Sequence, residues 1–171
     1  MSEILLEAAP AARHVVGVAD LKVSAAMSDV IITHALGSCL GITVYDPVAH
    51  VGGLLHVMLP DSGIDPEKAA GNPYMFVDSG VPLLFKDCYR LGARKERLIV
   101  KVAGGAALRS VAQEDYFQIG KRNFVMLRKL LWRNGVMIKS HDVGGSVSRT
   151  MTLDVGNGEV TLAINGKRVR L

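Results

Sequence analysis

Between Cys39 and Leu59 the chain carries two mostly apolar runs, Cys39-Leu-Gly-Ile-Thr-Val-Tyr45 and Val51-Gly-Gly-Leu-Leu-His-Val-Met-Leu59, on either side of Asp46-Pro47-Val48-Ala49. The Asp-Pro turn chemistry between them predicts an antiparallel hairpin. With the turn centred between Pro47 and Val48, Leu40 faces Leu55, Ile42 faces Gly53 and Val44 faces Val51, so one face is wholly apolar or glycine. The opposite face then sets Tyr45 against His50, Thr43 against Gly52, Gly41 against Leu54 and Cys39 against His56. Directly opposed residues lie about 4.5–5.5 Å apart at Cα and point the same way, so a thiol and an imidazole there can touch. A slip of two residues would set His56 against Gly41 and still leave it near Cys39.

Around this hairpin the patterning is mostly that of strands. Val15 to Val23 drifts into alternation and reads as one strand, and the β-branched run Val30-Ile-Ile-Thr33 reads as another, buried on both faces. Pro60 to Pro73 is a polar loop with Asp61-Ser-Gly63 and Gly71-Asn-Pro73 as breakers. Val81, Leu84, Phe85, Cys88 and Leu91 fall at helical spacing before Gly92; Pro82 fits a first turn, which makes Ser79 the expected N-cap. Arg97 to Ala103 is a strand, 106–118 is mostly loop, and Gly120 to Gly135 is an amphipathic helix with Phe124, Leu127, Leu130 and Leu131 inward. A strand from Val136 to Ser140 and a hairpin around Gly156-Asn-Gly158 complete the chain. The expected class is α+β, a layered antiparallel sheet structure with two main helices covering one side.

Composition narrows the function classes. A chain of 171 residues is in the single-domain range, with residues 1–12 expected as a loose arm and 13–171 as the domain. At 49% hydrophobic and 21% charged it is not a disordered protein, and its apolar runs are too short to span a bilayer. No basic-plus-apolar leader opens it, and two cysteines make no disulfide framework, so the cytoplasm is the expected compartment. The formal charge is only +4, and its basic clusters are not interleaved with aromatics. That argues against nucleic acid and suits solvated faces or an acidic protein partner.

The chemistry centres on two residues. A cysteine in an apolar setting is usually inert core, but Gly37-Ser38 before Cys39 can form a turn whose backbone N–H groups serve an oxyanion, and a histidine is expected across the hairpin. Such a pair can hold a thiolate near neutral pH. His56 alone reads equally well as a core histidine bonded to a carbonyl. Gly52 and Gly53 weaken their strand without packing gain, which points to close approach by another group, so Gly53 joins Gly37 and Ser38 as a candidate for substrate-proximal backbone. Thr33 is unremarkable in a β-branched strand. Cys88 lies on a helix's inward stripe and reads as packing. His14, His34, His50 and His141 have no metal-ligand spacing, and Gly104-Gly105 and Gly144-Gly145 are not phosphate loops. No metal and no organic cofactor is implied.

Thr33-His-Ala-Leu-Gly-Ser-Cys39, Val44-Tyr-Asp-Pro47 and Gly52-Gly-Leu-Leu-His-Val-Met-Leu-Pro60 together resemble the signature of the CheD family, the chemoreceptor glutamine deamidases of bacterial and archaeal chemotaxis. Lys101-Val-Ala-Gly-Gly-Ala106, Ile119-Gly-Lys-Arg-Asn123 and Ser140-His-Asp-Val-Gly-Gly145 extend the likeness over about residues 14–165. Position by position, the resemblance implies Cys39 as nucleophile, His56 as base and Thr33 as third member. It implies a layered α/β/β sandwich like the deamidase domain of the cytotoxic necrotizing toxins. The implied substrate is a glutamine on the cytoplasmic helices of a chemoreceptor, with docking to a CheC-type phosphatase as a further or alternative role. The sequence departs from the family where an apolar residue usually replaces His34 and where Gly-Arg usually replaces Ser148-Arg149.

Overall fold

The computed structural model describes residues 11–107 and 117–171. The expected arm therefore lies outside the described residues except at its end, where Ala12 already accepts a hydrogen bond from Val30 N; most of the 106–118 loop lies outside them as well. The strands are β1 (Arg13–Val16), β2 (Asp20–Ser24), β3 (Val30–Leu36), β4 (Leu40–Asp46), β5 (Val51–Val57), β6 (Ile99–Gly104), β7 (Ile138–Val143), β8 (Arg149–Asp154), β9 (Val160–Ile164) and β10 (Lys167–Arg170). The helices are α1 (Pro66–Gly71), α2 (Val77–Arg90) and α3 (Ile119–Arg133).

The strands form two five-stranded sheets, β1-β3-β8-β9-β10 and β2-β5-β4-β6-β7. Only β1–β3 and β6–β7 pair in parallel, so the sheets are mixed but mainly antiparallel. The β4-containing sheet is the middle layer, because alternate residues along it serve two cores. Leu40, Ile42, Val44, Leu55, Val57, Val100 and Val102 pack against α2 and α3 through Val81, Leu84, Cys88, Leu127 and Leu131. Leu54 and Ala103, on its other face, pack against Ile31, Leu36, Met151, Leu153 and Leu162 of the second sheet. This is the expected α/β/β layering, with two main helices on one side.

Three local expectations are corrected. The single strand from Val15 to Val23 is two, divided at Ala19, whose φ of 54° is left-handed; β1 pairs with β3 and β2 with β5, so the chain changes sheets there. α2 starts at Val77, not after Ser79, because fully buried Phe76 anchors the chain immediately before it. Ser79 Oγ donates instead to Pro73 O at 2.6 Å, Pro82 falls in the second turn, and Leu91 lies exposed past the helix end. The Pro60–Pro73 loop holds a short 3₁₀ turn, Ser62–Ile64, and α1, whose N-caps Asp61 and Asp65 accept from Gly63 N and Lys68 N.

Candidate active site

The β4–β5 register places the first site residue. Asp46 pairs with Val51, and its carboxylate accepts from Val48 N and Ala49 N at 2.9 and 3.1 Å, so the loop is Pro47–His50 with His50 left-handed at φ 50°. The turn therefore centres one residue later than expected, and every partner shifts by two: Gly41, not Cys39, faces His56. A slip of two keeps each side chain on its expected face. His56 thus points between the two sheets, where it is 1% exposed. Gly41 opposite it leaves room for the second sheet, since a Cβ there would stand 2.8 Å from both Leu36 Cδ1 and Met151 Sδ.

From that second sheet, Thr33 reaches His56. Its hydroxyl lies 2.7 Å from His56 Nδ1 and 2.7 Å from Val16 O, with both side chains buried. A hydroxyl has one proton, and a carbonyl only accepts. Thr33 therefore donates to Val16 O and accepts from His56, which puts the imidazole proton on Nδ1 and leaves Nε2 a free lone pair. Nε2 is buried without a hydrogen-bond partner. An orphaned buried acceptor is costly, and a base held ready for a reacting proton is one reason to keep it.

Cys39 follows a bulge in β3, where the pairing with β8 shifts between Thr33 and Leu36 and Ala35 adopts φ 56°. The Gly37–Cys39 bend then enters β4 two residues before Gly41, and half-buried Cys39 packs on the inter-sheet core, the side from which His56 projects. Thiol and imidazole thus share one face at neighbouring positions without a hydrogen bond between them; in unliganded enzymes such bonds often close only on binding. The carbonyls of the bend are all held. Ala106 N donates to Gly37 O at 2.8 Å, Gly105 N to Cys39 O at 2.9 Å, and Asn123 Nδ2 to Ser38 O at 3.0 Å. Gly104, at φ 112°, lets this strap close against Cys39 O, a position that a side chain would overlap.

Gly53 is not part of the site. It sits mid-ladder between Val23 and Val44, and the close approach that its lack of a side chain permits is by Leu84 Cδ1, 2.7 Å from where a Cβ would stand, and by Cys88. The expectation of close approach holds, but the approaching groups belong to the α2 core rather than to a substrate.

With this geometry in hand, comparison with known proteins is decisive. The profile of a family described as "CheD chemotactic sensory transduction" matches residues 58–163. A Syntrophus aciditrophicus protein named probable chemoreceptor glutamine deamidase CheD 1 is 46% identical over 156 residues, covering 91% of this chain and 96% of its own. A Solibacter usitatus protein named probable chemoreceptor glutamine deamidase CheD is 48% identical over 157 residues, 92% of each chain. An archaeal relative of the same name, from Thermococcus kodakarensis, is 40% identical over 154 residues, covering 89% and 94%.

The chain belongs to the CheD family.

Both departures from the usual CheD pattern are accommodated. Ser148 is exposed and its backbone is not left-handed, so a serine stands there without strain. Its neighbour Arg149 is 5% exposed and pairs with Asp142 at 2.7 Å while donating to the carbonyls of Gly144 and Val147. His34 lies exposed on the bulge, 3.5 Å from Thr150 Oγ1. The residue that sequence reading missed is Asn123. It occupies the inward stripe of α3 with Gly120, Leu127 and Leu131, is fully buried, and also donates to Met58 O at 3.0 Å. An amide on an apolar stripe was the available signal.

Burial governs the site's electrostatics in this CheD chain. It pushes the Cys39 thiol up, opposed by the residue's own N–H, and lowers His56 to about 4. The resting pair is thus a neutral thiol and a neutral imidazole, not the thiolate expected near neutral pH. Cys88 is fully buried, and burial first, then nearby Asp87 and Asp46, push its thiol up to about 12. Iodoacetamide at pH 8 is accordingly expected to label Cys39 in folded protein and to reach Cys88 only after unfolding. Peptide mapping that finds equal labelling would contradict this.

The same burial sets an acid limit on stability. Above pH 6.5 His56 is neutral in folded and unfolded chains alike. Between 6.5 and about 4 the unfolded chain takes up a proton that the folded one refuses, which costs about 3 kcal/mol by pH 4. Urea titrations from pH 7 to 4.5 are expected to show this loss, and His56→Gln to flatten most of it. An equally steep loss in the variant would place the titrating group elsewhere.

Among the described residues no group of three or more His, Cys, Asp or Glu could hold a metal, and no helix is long and apolar enough to cross a membrane. His14 pairs with Asp29 at 2.8 Å and His50 lies 3.2 Å from Tyr45 Oη, so both have structural partners.

Proposed function

We propose that this chain is a protein-glutamine amidohydrolase that converts specific glutamines on the cytoplasmic helices of chemoreceptors to glutamate through a thioester on Cys39. CheD membership and the relatives' names support the substrate class. The observation that carries the mechanism is the Thr33 relay, which leaves His56 Nε2 unprotonated and unpartnered on the same face as Cys39.

In this reading Nε2 takes the thiol proton as Sγ bonds to the side-chain carbonyl carbon, and the electron pair of the C=O π bond moves to oxygen. The tetrahedral species collapses, the C–N bond breaks, and the imidazolium returns the proton to the departing nitrogen, releasing ammonia. Water then attacks the thioester, giving its proton to Nε2; the C–S bond breaks and Sγ leaves with that proton. Thr33 keeps Nδ1–H fixed so that Nε2 faces the reaction throughout. It carries no charge with which to offset the imidazolium, so a modest rate is expected.

Incubation with a receptor cytoplasmic fragment tests the proposal. Ammonia release with the fragment left uncut is the expected result; cleavage would indicate a peptidase, and neither product would refute the hydrolase. A second role is docking a CheC-type phosphatase, as a module in which catalysis is weak. The outward face of α3 favours an acidic partner of this kind: Lys121, Arg122, Arg128, Lys129 and Arg133 are exposed there, with Trp132 82% exposed, and the helix has no acidic residue. Such docking would be indifferent to Cys39→Ala.

A further inference from the structure

The Ser38–Cys39 peptide unit is the one that joins the bend to the nucleophile. A trans peptide is planar, with its N–H directed opposite its C=O, so whatever fixes the carbonyl of Ser38 also aims the N–H of Cys39. The group that fixes it is Asn123. Its amide nitrogen donates to Ser38 O and Met58 O, both at 3.0 Å, from a side chain with no exposed surface. Ser38 and Met58 lie just beyond the last β4–β5 pair, Leu40 with Val57, so Asn123 bridges the two chains where the ladder stops. At the other end of the same peptide unit, the Cys39 N–H lies against its own sulfur.

α3 itself is seated for this task. A Cβ on Gly120 would overlap Gly105 O and stand 2.9 Å from Ala106 O, so only glycine lets the helix rest on the strap that holds Gly37 O and Cys39 O. Asn123 stands one turn further on. A buried amide costs free energy unless its position is used, and this one spends both donors on backbone next to the nucleophile.

We propose that Asn123 is a positioning residue, which holds the Ser38–Cys39 peptide so that the Cys39 N–H is the oxyanion donor for the carbonyl attacked by Cys39. This rests on the reading of Cys39 as nucleophile. When Sγ bonds to a carbonyl carbon, the oxygen receives the π electrons one bond from that sulfur, within reach of an N–H already turned toward Sγ. A fixed donor of this kind is typically worth about 10²–10³-fold in rate. Asn123 never touches the substrate; losing it frees the peptide to rotate.

Two reactions of the same thiol separate this role from a merely structural one. Alkylation by iodoacetamide forms no oxyanion. Addition to a short peptide bearing a side-chain aldehyde in place of the glutamine amide does: Sγ bonds to the aldehyde carbon, the thiol proton passes to His56, and the oxygen carries the displaced electron pair. Aldehyde affinity is read as protection of Cys39 from alkylation, in wild type, Asn123→Asp, Asn123→Ala and Gly120→Ala, with thermal unfolding as the check on folding. The expected result is a fall in aldehyde affinity of about 10²-fold in the Asn123 variants and a smaller fall in Gly120→Ala, with alkylation rates within about threefold of wild type. On receptor substrate, kcat falls while KM changes little. Wild-type aldehyde affinity in a folded Asn123 variant would overturn the proposal, as would equal losses in alkylation and aldehyde binding. Aldehyde binding that needs Asn123, in a protein that leaves receptor glutamines unchanged, would refute the deamidase reading and leave this one standing.

Discussion

Replacing Cys39 by alanine, or His56 by glutamine, is expected to lower amide hydrolysis by about ten-thousand-fold or more, with the double variant hardly worse than either. The reason is chemical. With both groups neutral at rest, the thiol becomes a nucleophile only as Nε2 takes its proton, so removing either partner removes the same step. Neither change asks much of the fold. Cys39 is half-buried at the rim of the inter-sheet core, and glutamine at 56 nearly preserves volume while offering a hydrogen-bonding group to Thr33. The measurement is single-turnover ammonia release by the three variants. Additive losses, or a His56→Gln enzyme within tenfold of wild type, would show that the two do not act as one unit.

The largest stability effect is expected away from the site, at Asp46. This carboxylate has no exposed surface, caps the β4–β5 loop through Val48 N and Ala49 N, and accepts from Arg94 N at 2.8 Å and from Arg97 Nε and Nη2 at 2.9 and 2.7 Å. Burial alone would raise its pKa, but the Arg97 guanidinium and the three N–H groups outweigh it and hold the group well below the usual carboxylate range. Its contribution is therefore complete above the ordinary value of 3.8 and fades only below it, in a more acid window than the loss from His56. Asp46→Ala leaves the three N–H groups and the Arg97 guanidinium without their acceptor, and is expected to cost about 3–5 kcal/mol. Urea unfolding at pH 7 should show a lower midpoint at unchanged slope. A loss under about 1 kcal/mol would mean that water substitutes for the carboxylate, against the buried ion pair described here.

The same residue shows where sequence reading reaches its limit. Alternation assigned every β4 and β5 side chain to its correct face, because faces depend only on parity. The partner of His56 was displaced by two, because the loop length depends on the Asp46 side chain bonding forward to Val48 and Ala49, which no periodicity records. The split of β1 from β2 was hidden for a related reason: one left-handed residue, Ala19, sends the chain to another sheet without a glycine or proline at that position to announce it. At the site, motif resemblance supplied Thr33, whose own strand context made it unremarkable, and the structure gives it a physical task through a single shared proton. Asn123 was legible as an amide on an apolar stripe, but what it holds lies 85 residues earlier in the chain, a pairing that only the folded layers make.

The most direct measurement is the mass of each glutamine-containing peptide of a receptor cytoplasmic fragment, incubated with this protein in ordinary and in oxygen-18 water. The thioester route replaces an amide nitrogen by one solvent oxygen, so specific glutamines are expected to gain about 1 Da in ordinary water and about 3 Da in labelled water, with wild type and not with Cys39→Ala. No shift on any glutamine, or an equal shift with Cys39→Ala, would contradict the account.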